Sequence, residues 1–410
     1  MNLNLKKSTV SKKSTVSVTG SKSETNRLLL LQALYPNITL ENISKSDDSD
    51  AMQMALISND NIIDIHHAGT AMRFLTAYFS IQVGKDTVLT GSSRMQERPI
   101  KILVEALQQL GVEITYEKNE GFPPIKIKGK KITQNKVTLK ADVSSQYISA
   151  LLLIAPKLEN GLELTLEGEI TSIPYINMTL ALLHEIGVKT TFAGNKITVS
   201  HAELVSASKL TIESDWSSAS YFYSIVALSE IGTQITLTSY KANSLQGDSV
   251  LKTIYKDFGI QTTFNNNNSI TISKVAQHNS QPITHNLKNS PDIAQTIAVT
   301  VFGLGMECHL TGLHTLKIKE TDRLEALKTE LSKFGAQISV TNDSLSLKKS
   351  NSFNKNVAVA TYQDHRMAMA FAPLALKTTL VINEANVVSK SFPTFWEDLK
   401  SIGFEMDETK

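Results

Sequence analysis

Residues 103–114 read LVEALQQLGVEI, and this short stretch contains the pattern that predicts the fold. Leu103, Ala106, Leu107 and Leu110 recur at the spacing of one helix face, which is typical of a helix packed on a core. Gly111 follows at the place where a left-handed residue commonly ends a helix. Apolar and polar residues alternate after it, as in a half-buried strand. The stretch therefore predicts a helix that turns at glycine into a strand.

The same order recurs four more times, at intervals of about 73 residues, with its glycine at Gly187, Gly259, Gly335 and Gly403. An earlier stretch, 28–40 (LLLLQALYPNITL), has the helix and the strand without the glycine. The interval is longer than the 20–50 residues of solenoid repeats, so each repeat predicts a small α/β module. Six such modules fit into the chain.

Composition and charge narrow the class of protein. The 410 residues are 41% hydrophobic and 20% charged, with 41 Lys and Arg against 39 Asp and Glu. A formal charge of +2 argues against a nucleic-acid partner, which would require a protein-wide basic field. The single cysteine, Cys308, excludes an intramolecular disulfide and a cysteine zinc cage. No secretory signal or membrane-length apolar run is recognisable, so we expect a soluble cytoplasmic protein that does not bind membranes.

Several predicted helices begin with small polar residues and a cation. They start within the stretches GSKSETNR (20–27), HHAGTAMR (66–73), GSSRMQERP (91–99), KETDR (319–323) and QDHR (363–366). The free N–H groups and the dipole of a helix N-terminus favour a phosphate or a carboxylate. If these helices converge, a near-neutral protein contains a concentrated anion pocket. The pattern predicts two anionic ligands or one polyanion.

Carboxylates stand among these cations. Asp292 follows Pro291 at a predicted helix start, where it is either a cap or a general base. Glu320 lies between Lys319 and Arg323, which would tune its pKa for proton transfer. The adjacent pair His66 and His67 predicts no metal site, because neighbouring side chains diverge and no HExxH pattern supports them.

Five motifs together resemble the enolpyruvyl transferases, and most closely those that act on shikimate 3-phosphate. They are AGTAMR (68–73), RMQERP (94–99), SSQ (144–146), KETDR (319–323) and DHRMAM (364–369), in family order over nearly the whole chain. The resemblance implies two similar α/β domains, each an inside-out barrel of three βαβ-type modules, with helix N-termini facing an interdomain cleft. It implies one domain of residues 1–19 and 215–410, an inserted domain of residues 20–214, and an active site in the cleft.

The resemblance also implies a reaction. The enolpyruvyl group of phosphoenolpyruvate would pass to the 5-hydroxyl of shikimate 3-phosphate with release of phosphate. The steps would be an addition and an elimination through a tetrahedral intermediate, on the route to chorismate and the aromatic amino acids. No metal or organic cofactor is expected, the partners are the two small substrates, and we expect a monomer.

Site residues follow from the matching motif positions. The residues expected to bind shikimate 3-phosphate are Lys22, Ser23, Arg27, Ser144, Ser145, Gln146, Ser172, Tyr175, Asp292, Thr315 and Lys319. Those expected to bind phosphoenolpyruvate are Lys22, Gly69, Arg94, Gln146, Arg323, Arg366 and Lys390. The catalytic residues expected are Asp292 as the base for the hydroxyl, Glu320 and Lys22 for proton transfer at the enol carbon, and His365 beside the pyruvyl group.

The chain departs from the family pattern at His67, Phe74, Thr315 and Lys317. The short interval between Arg27 and Gly69 predicts that the first module has lost a hairpin. Two alternatives remain open at this point. One is an enolpyruvyl transferase that acts on UDP-N-acetylglucosamine, which typically uses a loop cysteine, whereas Cys308 is predicted to be a core residue. The other is a non-catalytic anion-binding protein of the same fold.

Overall fold

The computed structural model describes residues 1–140, 144–170, 173–206, 208–279, 281–350 and 352–409, so the expected ligand Ser172 lies outside the described residues. The strands of the first half are β1 (Asn2–Leu5), β2 (Lys13–Val16), β3 (Ile38–Glu41), β4 (Ile62–Asp64), β5 (Asp86–Thr90), β6 (Glu113–Tyr116), β7 (Ile125–Lys128), β8 (Lys136–Lys140), β9 (Leu162–Glu167), β10 (Thr190–Ala193) and β11 (Lys196–Val199). Those of the second half are β12 (Ser208–Thr211), β13 (Gln234–Thr238), β14 (Ile260–Asn265), β15 (Ser269–Lys274), β16 (Ile283–Asn286), β17 (Cys308–Thr311), β18 (Ile338–Val340), β19 (Leu345–Leu347), β20 (Val357–Val359), β21 (Leu380–Ile382) and β22 (Met406–Thr409).

Helices connect these strands. The α-helices are α1 (Lys22–Leu34), α2 (Asp47–Ile57), α3 (Gly69–Ser80), α4 (Lys101–Gln109), α5 (Ser145–Ile154), α6 (Ile173–Glu185), α7 (Trp216–Leu228), α8 (Leu251–Ile254), α9 (Ala294–Leu304), α10 (Arg323–Lys333), α11 (His365–Phe371) and α12 (Phe395–Ser401). Short 3-10 helices add turns, among them Pro291–Ile293, His314–Ile318 and Ala385–Lys390.

One arrangement repeats through the chain. In the sheet ordered β4-β5-β7-β6, β4 and β5 are parallel and β6 and β7 form an antiparallel hairpin. Four more sheets have the corresponding orders β10-β11-β9-β8, β14-β15-β13-β2, β16-β17-β19-β18 and β20-β21-β1-β22. Together with the sheet of β3 and β12 they make six sheets over the described part of the chain, which confirms the α/β class and the six predicted modules.

The five glycines of the repeat all have the left-handed backbone that the sequence predicts. Their φ angles are 91° at Gly111, 92° at Gly187, 76° at Gly259, 97° at Gly335 and 116° at Gly403. At Gly259 the chain also passes so close that a Cβ would lie 2.1 Å from the carbonyl oxygen of Ala276. Glycine thus ends each helix and turns the chain into the following strand.

In the ranges that the structure describes, the module that contains the stretch 28–40 lacks a hairpin, as the short interval between Arg27 and Gly69 predicts. Its sheet consists, over the described residues, of the two parallel strands β12 and β3. After α2 ends at Ile57 the chain enters β4 of the next sheet at Ile62, which leaves no room for a hairpin.

The chain divides into two compact units, Met1–Thr19 with Glu213–Lys410, and Gly20–Ile212. The chain passes between them after β2 and again after β12. Each unit contains three of the six sheets.

The first helix of most modules is buried on all sides. Every residue of α7 is buried, and so are residues 294–303 of α9 and nearly all of α5. A helix without a polar face belongs to the core, where each large apolar side chain contributes about 1.5–3 kcal/mol. Within the first unit α9 packs against both α7 and α11. None of the described helices is both long and apolar enough to cross a membrane.

Candidate active site

In the unit that contains both termini, Arg323 is the centre of a network of ion pairs. It is the first residue of α10, and its side chain is only 2% exposed. Its Nη1 donates to Asp292 Oδ1 at 2.8 Å, its Nη2 to Glu320 Oε2 at 2.7 Å, and its Nε to Asp364 Oδ2 at 2.6 Å. Asp322 caps the helix by accepting from the backbone N–H groups of residues 324 and 325. The cap therefore fixes the position from which Arg323 reaches three carboxylates.

Two further cations contact the same carboxylate. Arg366 Nη2 lies 3.3 Å from Asp292 Oδ2, and Lys319 Nζ lies 3.5 Å from Asp292 Oδ1. We call Asp292, Lys319, Glu320, Arg323, Asp364 and Arg366 the buried charge cluster. It holds three cations and three carboxylates, so each formal charge has an opposite one nearby. Such balance is required because an unpaired buried charge is strongly destabilising.

The ion pairs set the charge state of Asp292. Burial disfavours its ionised form, but Arg366, Lys319 and Arg323 outweigh burial and hold the pKa of Asp292 well below its usual range. The carboxylate is therefore ionised at neutral pH. A base with so low a pKa is weak, and it becomes stronger only when an anion neutralises the surrounding cations.

A strained turn precedes α11. Tyr362 and Gln363 have φ angles of 55° and 57°, and the turn is closed by the N–H of Asp364 donating to the carbonyl of Thr361 at 2.8 Å. Left-handed backbone at residues other than glycine costs about 1–3 kcal/mol each. Asp364 then caps α11 by accepting from the backbone N–H of Arg366 at 2.9 Å. The turn thus leads directly into two members of the buried charge cluster.

Lys390 and His365 lie beside this turn. Lys390 Nζ donates to the carbonyl of Gln363 at 2.8 Å. His365 is buried at the first position of α11, and its Nδ1 is 3.9 Å from Asp364 Oδ1, which is too long for a hydrogen bond.

The 3-10 helix before the KETDR motif carries the two departures at Thr315 and Lys317. The Thr315 hydroxyl is buried and has no hydrogen-bond partner among the described residues, so it has capacity for a ligand. Lys317 donates to Asn342 Oδ1 at 2.8 Å and does not join the charge cluster.

In the unit formed by residues 20–212, Arg27 is buried and hydrogen-bonded on several sides. Its Nε donates to Thr179 Oγ1 at 2.8 Å, its Nη1 to the carbonyl of Ser23 at 2.7 Å, and its Nη2 to Ser149 Oγ at 3.0 Å. Burial lowers the pKa of Arg27 to about 10, so it remains a cation at neutral pH. The arginine therefore joins α1, α5 and α6.

Aromatic rings complete the surroundings of this guanidinium. The Phe74 ring centroid is 5.4 Å from Arg27 Cζ, and the Tyr175 ring centroid is 5.9 Å from it. Phe74, one of the positions where the chain departs from the family pattern, thus supplies a fully buried aromatic contact to the cation.

Three helices of this unit begin at expected ligands. Lys22 is the first residue of α1 and Gly69 the first of α3, and neither helix has a side-chain cap. Ser145 is the first residue of α5, where Ser144 Oγ accepts from the N–H of Gln146 at 3.3 Å. Gln146 Nε2 donates across to Thr70 Oγ1, also at 3.3 Å, and so links the starts of α5 and α3. Uncapped N–H groups are the groups that bind anions.

Arg94, an expected ligand, and Arg98 of the same motif lie differently with respect to Gly69. Arg94 is 60% exposed and pairs with Glu97 at 2.8 Å. A Cβ on Gly69 would lie 2.3 Å from Arg98 Nη1, so the missing side chain of Gly69 makes room for this guanidinium. Arg98 is extended, as a residue before proline prefers, whereas Arg94 precedes a 3-10 turn. Pro99 is the signal that would have distinguished the two arginines.

Two buried residues were missed by the sequence reasoning. Arg73 Nη1 donates to the carbonyl of Gly69 and its Nη2 to the carbonyl of Pro99, both at 3.0 Å, so it ties the segment that carries Arg98 to α3. Burial, with a contribution from Arg98, lowers the pKa of Arg73 to about 10. The AMR motif contains Arg73, but no local pattern distinguishes a buried positioning arginine from a ligand.

The second missed residue is Asp248. It is buried, accepts from Ser217 Oγ, and has one carboxylate oxygen without a partner among the described residues. Burial and the neighbouring charge of Asp292 raise the pKa of Asp248 to about 7. Its segment forms a short 3-10 helix, which has no sequence pattern that marks a site.

Other candidate groups do not form a site. His67 Nε2 lies 3.5 Å from Asp47 Oδ2 on a half-exposed surface. Across the described residues, no group of three or more His, Cys, Asp and Glu side chains is placed to hold a metal ion. Cys308 is buried in β17, and burial raises the pKa of its thiol to about 12, which confirms its prediction as a core residue. It is therefore poorly suited to act as an acid.

Comparison with known proteins agrees with this geometry. The family model of EPSP synthase (3-phosphoshikimate 1-carboxyvinyltransferase) matches residues 53–399. A 3-phosphoshikimate 1-carboxyvinyltransferase of Bacteroides fragilis is 45% identical over 396 residues, which cover 96% of each chain. One from Haemophilus influenzae is 36% identical and covers 95% of this chain and 96% of its own. The EPSP synthase structure from Acinetobacter baumannii has a TM-score of 0.82 at 21% identity and covers 99% of this chain and 100% of that one. The chain therefore belongs to the EPSP synthase family.

Proposed function

We propose that this protein transfers the enolpyruvyl group of phosphoenolpyruvate to the 5-hydroxyl of shikimate 3-phosphate and releases phosphate. Membership of the EPSP synthase family supports the substrates. The observation that carries the proposal is the buried charge cluster, which places carboxylates against arginine and lysine side chains. Carboxylates move protons and the cations bind phosphate and carboxylate groups, so both requirements of this reaction are met.

The reaction divides into two steps. In the addition, the 5-hydroxyl oxygen bonds to C2 of phosphoenolpyruvate, the hydroxyl loses its proton, and C3 gains one. In the elimination, C3 loses a proton, the C2–O bond to phosphate breaks, and phosphate leaves. The site must therefore supply a base that accepts the proton of the hydroxyl. It must also supply an acid that donates a proton to C3 in the addition and accepts one from C3 in the elimination.

Asp292 is assigned as the base for the hydroxyl. Its pKa is held low by Arg366, Lys319 and Arg323, and the same cations are the proposed anion ligands. When substrate phosphate or carboxylate groups neutralise them, the pKa of Asp292 rises toward a useful range. Substrate binding would thus activate the base.

Glu320 and Lys22 are assigned to proton transfer at C3. Glu320 is held by Arg323 at 2.7 Å, which fixes its carboxylate. Lys22 makes no ion pair among the described residues and begins an uncapped helix, so its ammonium group has capacity for a ligand. His365 is assigned beside the pyruvyl group.

The remaining expected ligands keep their proposed roles with one change. Those for shikimate 3-phosphate are Ser23, Arg27, Ser144, Ser145, Gln146, Ser172, Tyr175, Thr315 and Lys319. For phosphoenolpyruvate, Arg98 replaces Arg94 because it lies against Gly69 at the start of α3. The alternative acceptor, UDP-N-acetylglucosamine, is disfavoured because the only cysteine is a buried core residue.

The direct test is phosphate release from phosphoenolpyruvate, measured with and without shikimate 3-phosphate. Release that requires shikimate 3-phosphate and persists with a chelator is the expected result. Lys22→Met and Glu320→Ala should each lower turnover by at least a hundredfold without changing the circular dichroism spectrum. Absence of phosphate release from the unaltered protein would contradict the proposed reaction. Normal turnover in either variant would contradict the role assigned to that residue.

We also propose that the protein acts as a monomer in the cytoplasm. The family's reaction uses small phosphorylated metabolites, which supports this location. Sedimentation velocity in the presence of both substrates would test the state of association, with a single species near 45 kDa expected.

A further inference from the structure

Glu330 is a fully buried carboxylate that the proposed chemistry does not use. It lies in α10, two turns after Arg323. Lys333 Nζ donates to its oxygens at 2.8 and 2.7 Å, the N–H of Ala360 donates at 3.1 Å, and the Tyr362 hydroxyl donates at 2.7 Å. The bonds from Ala360 and Tyr362 join α10 to the segment before α11, and the two from Lys333, which lies in α10 itself, balance the charge of the carboxylate.

The junction holds the strained turn. Tyr362 and Gln363 are the two central residues of the turn from Thr361 to Asp364, and both have positive φ. This backbone pattern normally requires Asn or Gly, and neither residue is present. The turn therefore needs support from outside, and Tyr362 obtains it from Glu330 while Gln363 Nε2 donates to Glu384 Oε2 at 3.0 Å.

The same turn fixes the positions of three proposed ligands. Its last residue, Asp364, binds Arg323 and caps the helix that carries Arg366. The carbonyl of Gln363 accepts from Lys390. Arg323, Arg366 and Lys390 are all among the expected ligands of phosphoenolpyruvate, whereas Lys319, 3.5 Å from Asp292, is an expected ligand of shikimate 3-phosphate.

We infer that Glu330 and Tyr362 are positioning residues for the phosphoenolpyruvate half of the site. Their hydrogen bond fixes the left-handed turn, and the turn fixes Asp364 and the carbonyl that orients Lys390. Loss of the bond should weaken binding of phosphoenolpyruvate selectively. The inference rests on the proposed function for its substrate, but the ordering of the turn is independent of it.

Tyr362→Phe removes the hydroxyl and leaves the ring and the other bonds of Glu330. We expect the KM for phosphoenolpyruvate to rise about tenfold, as for loss of a hydrogen bond to a buried charge, with the KM for shikimate 3-phosphate within twofold. Glu330→Gln can accept from the tyrosine only by turning its Nε2 donor toward the N–H of Ala360 and Lys333, so it should raise the KM for phosphoenolpyruvate at least as much. The matched control is Tyr35→Phe, which removes a tyrosine hydrogen bond of 2.6 Å to the carbonyl of Ala202 in the other unit. Neither KM should change in that variant.

Hydrogen exchange gives a readout that does not depend on activity. The amide of Arg366 should exchange at least tenfold faster in Tyr362→Phe than in the unaltered protein, and should be unchanged in Tyr35→Phe. A fall in turnover with unchanged KM values would indicate general destabilisation and overturn the inference. So would unchanged exchange at Arg366. If the unaltered protein lacks the proposed activity, that proposal fails, while the exchange experiment still decides whether Tyr362 orders the turn.

Discussion

Asp292→Asn tests the buried charge cluster, because this substitution removes one negative charge and keeps the shape of the side chain. In the unaltered protein Asp292 faces Arg323 at 2.8 Å, Arg366 at 3.3 Å and Lys319 at 3.5 Å. After the change, three cations would face two carboxylates in a site where Arg323 is 2% exposed. Removing one partner from a buried ion pair costs about 3–5 kcal/mol. The amide oxygen still accepts from Arg323, so we expect the lower end, about 3 kcal/mol.

The loss should appear in both stability and turnover. A destabilisation of about 3 kcal/mol lowers the melting temperature of a domain of roughly 200 residues by about 6–12 °C. If Asp292 is the base, kcat should also fall by about 10²–10⁴-fold. The control is Asp407→Asn, which breaks the exposed pair between Lys6 and Asp407 at 2.8 Å in the same unit. An exposed pair contributes about 0–1 kcal/mol, so this variant should melt within a few degrees of the unaltered protein.

The pH dependence has a definite sign. The pKa of Asp292 is lowered on folding, so its stabilisation is present above the unfolded pKa near 3.9 and is lost as the pH falls below it. The difference between the unaltered protein and Asp292→Asn should be constant from about pH 5 to 8 and shrink in stronger acid. Calorimetry at several pH values measures it. Equal melting temperatures for Asp292→Asn and the control at pH 7 would refute the ionic description of the cluster.

Three further predictions concern single side chains. Arg98→Lys should raise the KM for phosphoenolpyruvate at least tenfold, whereas Arg94→Lys should leave it within twofold in the phosphate-release assay. Burial lowers the pKa of Lys274, which donates to two backbone carbonyls, to about 8. The free energy of unfolding of the unaltered protein, measured in urea, should therefore rise by up to about 3 kcal/mol relative to that of Lys274→Met between pH 7 and 10.5. A difference between the two proteins that does not change with pH would contradict the lowered pKa. The raised pKa of Asp248 has the opposite consequence, since its protonated form favours folding below about pH 4 and this advantage disappears as the pH rises to about 7. Between about pH 4 and pH 7, the free energy of unfolding of Asp248→Asn should therefore rise relative to that of the unaltered protein. If the two proteins instead show the same dependence on pH, Asp248 is not protonated in the folded state.

Much of the module architecture is readable from local sequence. The helix stripe and the glycine after it depend on neighbouring residues only, and all five glycines have the predicted backbone. The missing hairpin also follows from a local fact, the short interval before Gly69. The pairing of β1 with β21 and β22 could not be predicted in this way, since those strands lie almost at the opposite end of the chain.

The members of the buried charge cluster are residues that the sequence motifs single out, but the geometry of their contacts is not readable from those motifs. The KETDR and DHR motifs identify Arg323 and Arg366 as candidate anion ligands. They do not reveal that Arg323 is also bound by the distant carboxylates Asp292 and Asp364, since that depends on tertiary packing. Arg94 and Arg98 belong to one motif, and the extended backbone before Pro99 is the local feature that distinguishes them.

The position of β1 has a consequence for the order in which the molecule is made. It lies between β21 and β22, so Leu3 and Leu5 lack their sheet partners until residues 380–409 have left the ribosome. At about 5–20 residues per second, that delay is roughly 20–80 s. Residues 20–212 are contiguous and can fold during this interval. β1 is therefore made long before the two strands that flank it, and its backbone hydrogen-bonding groups stay without sheet partners during that interval.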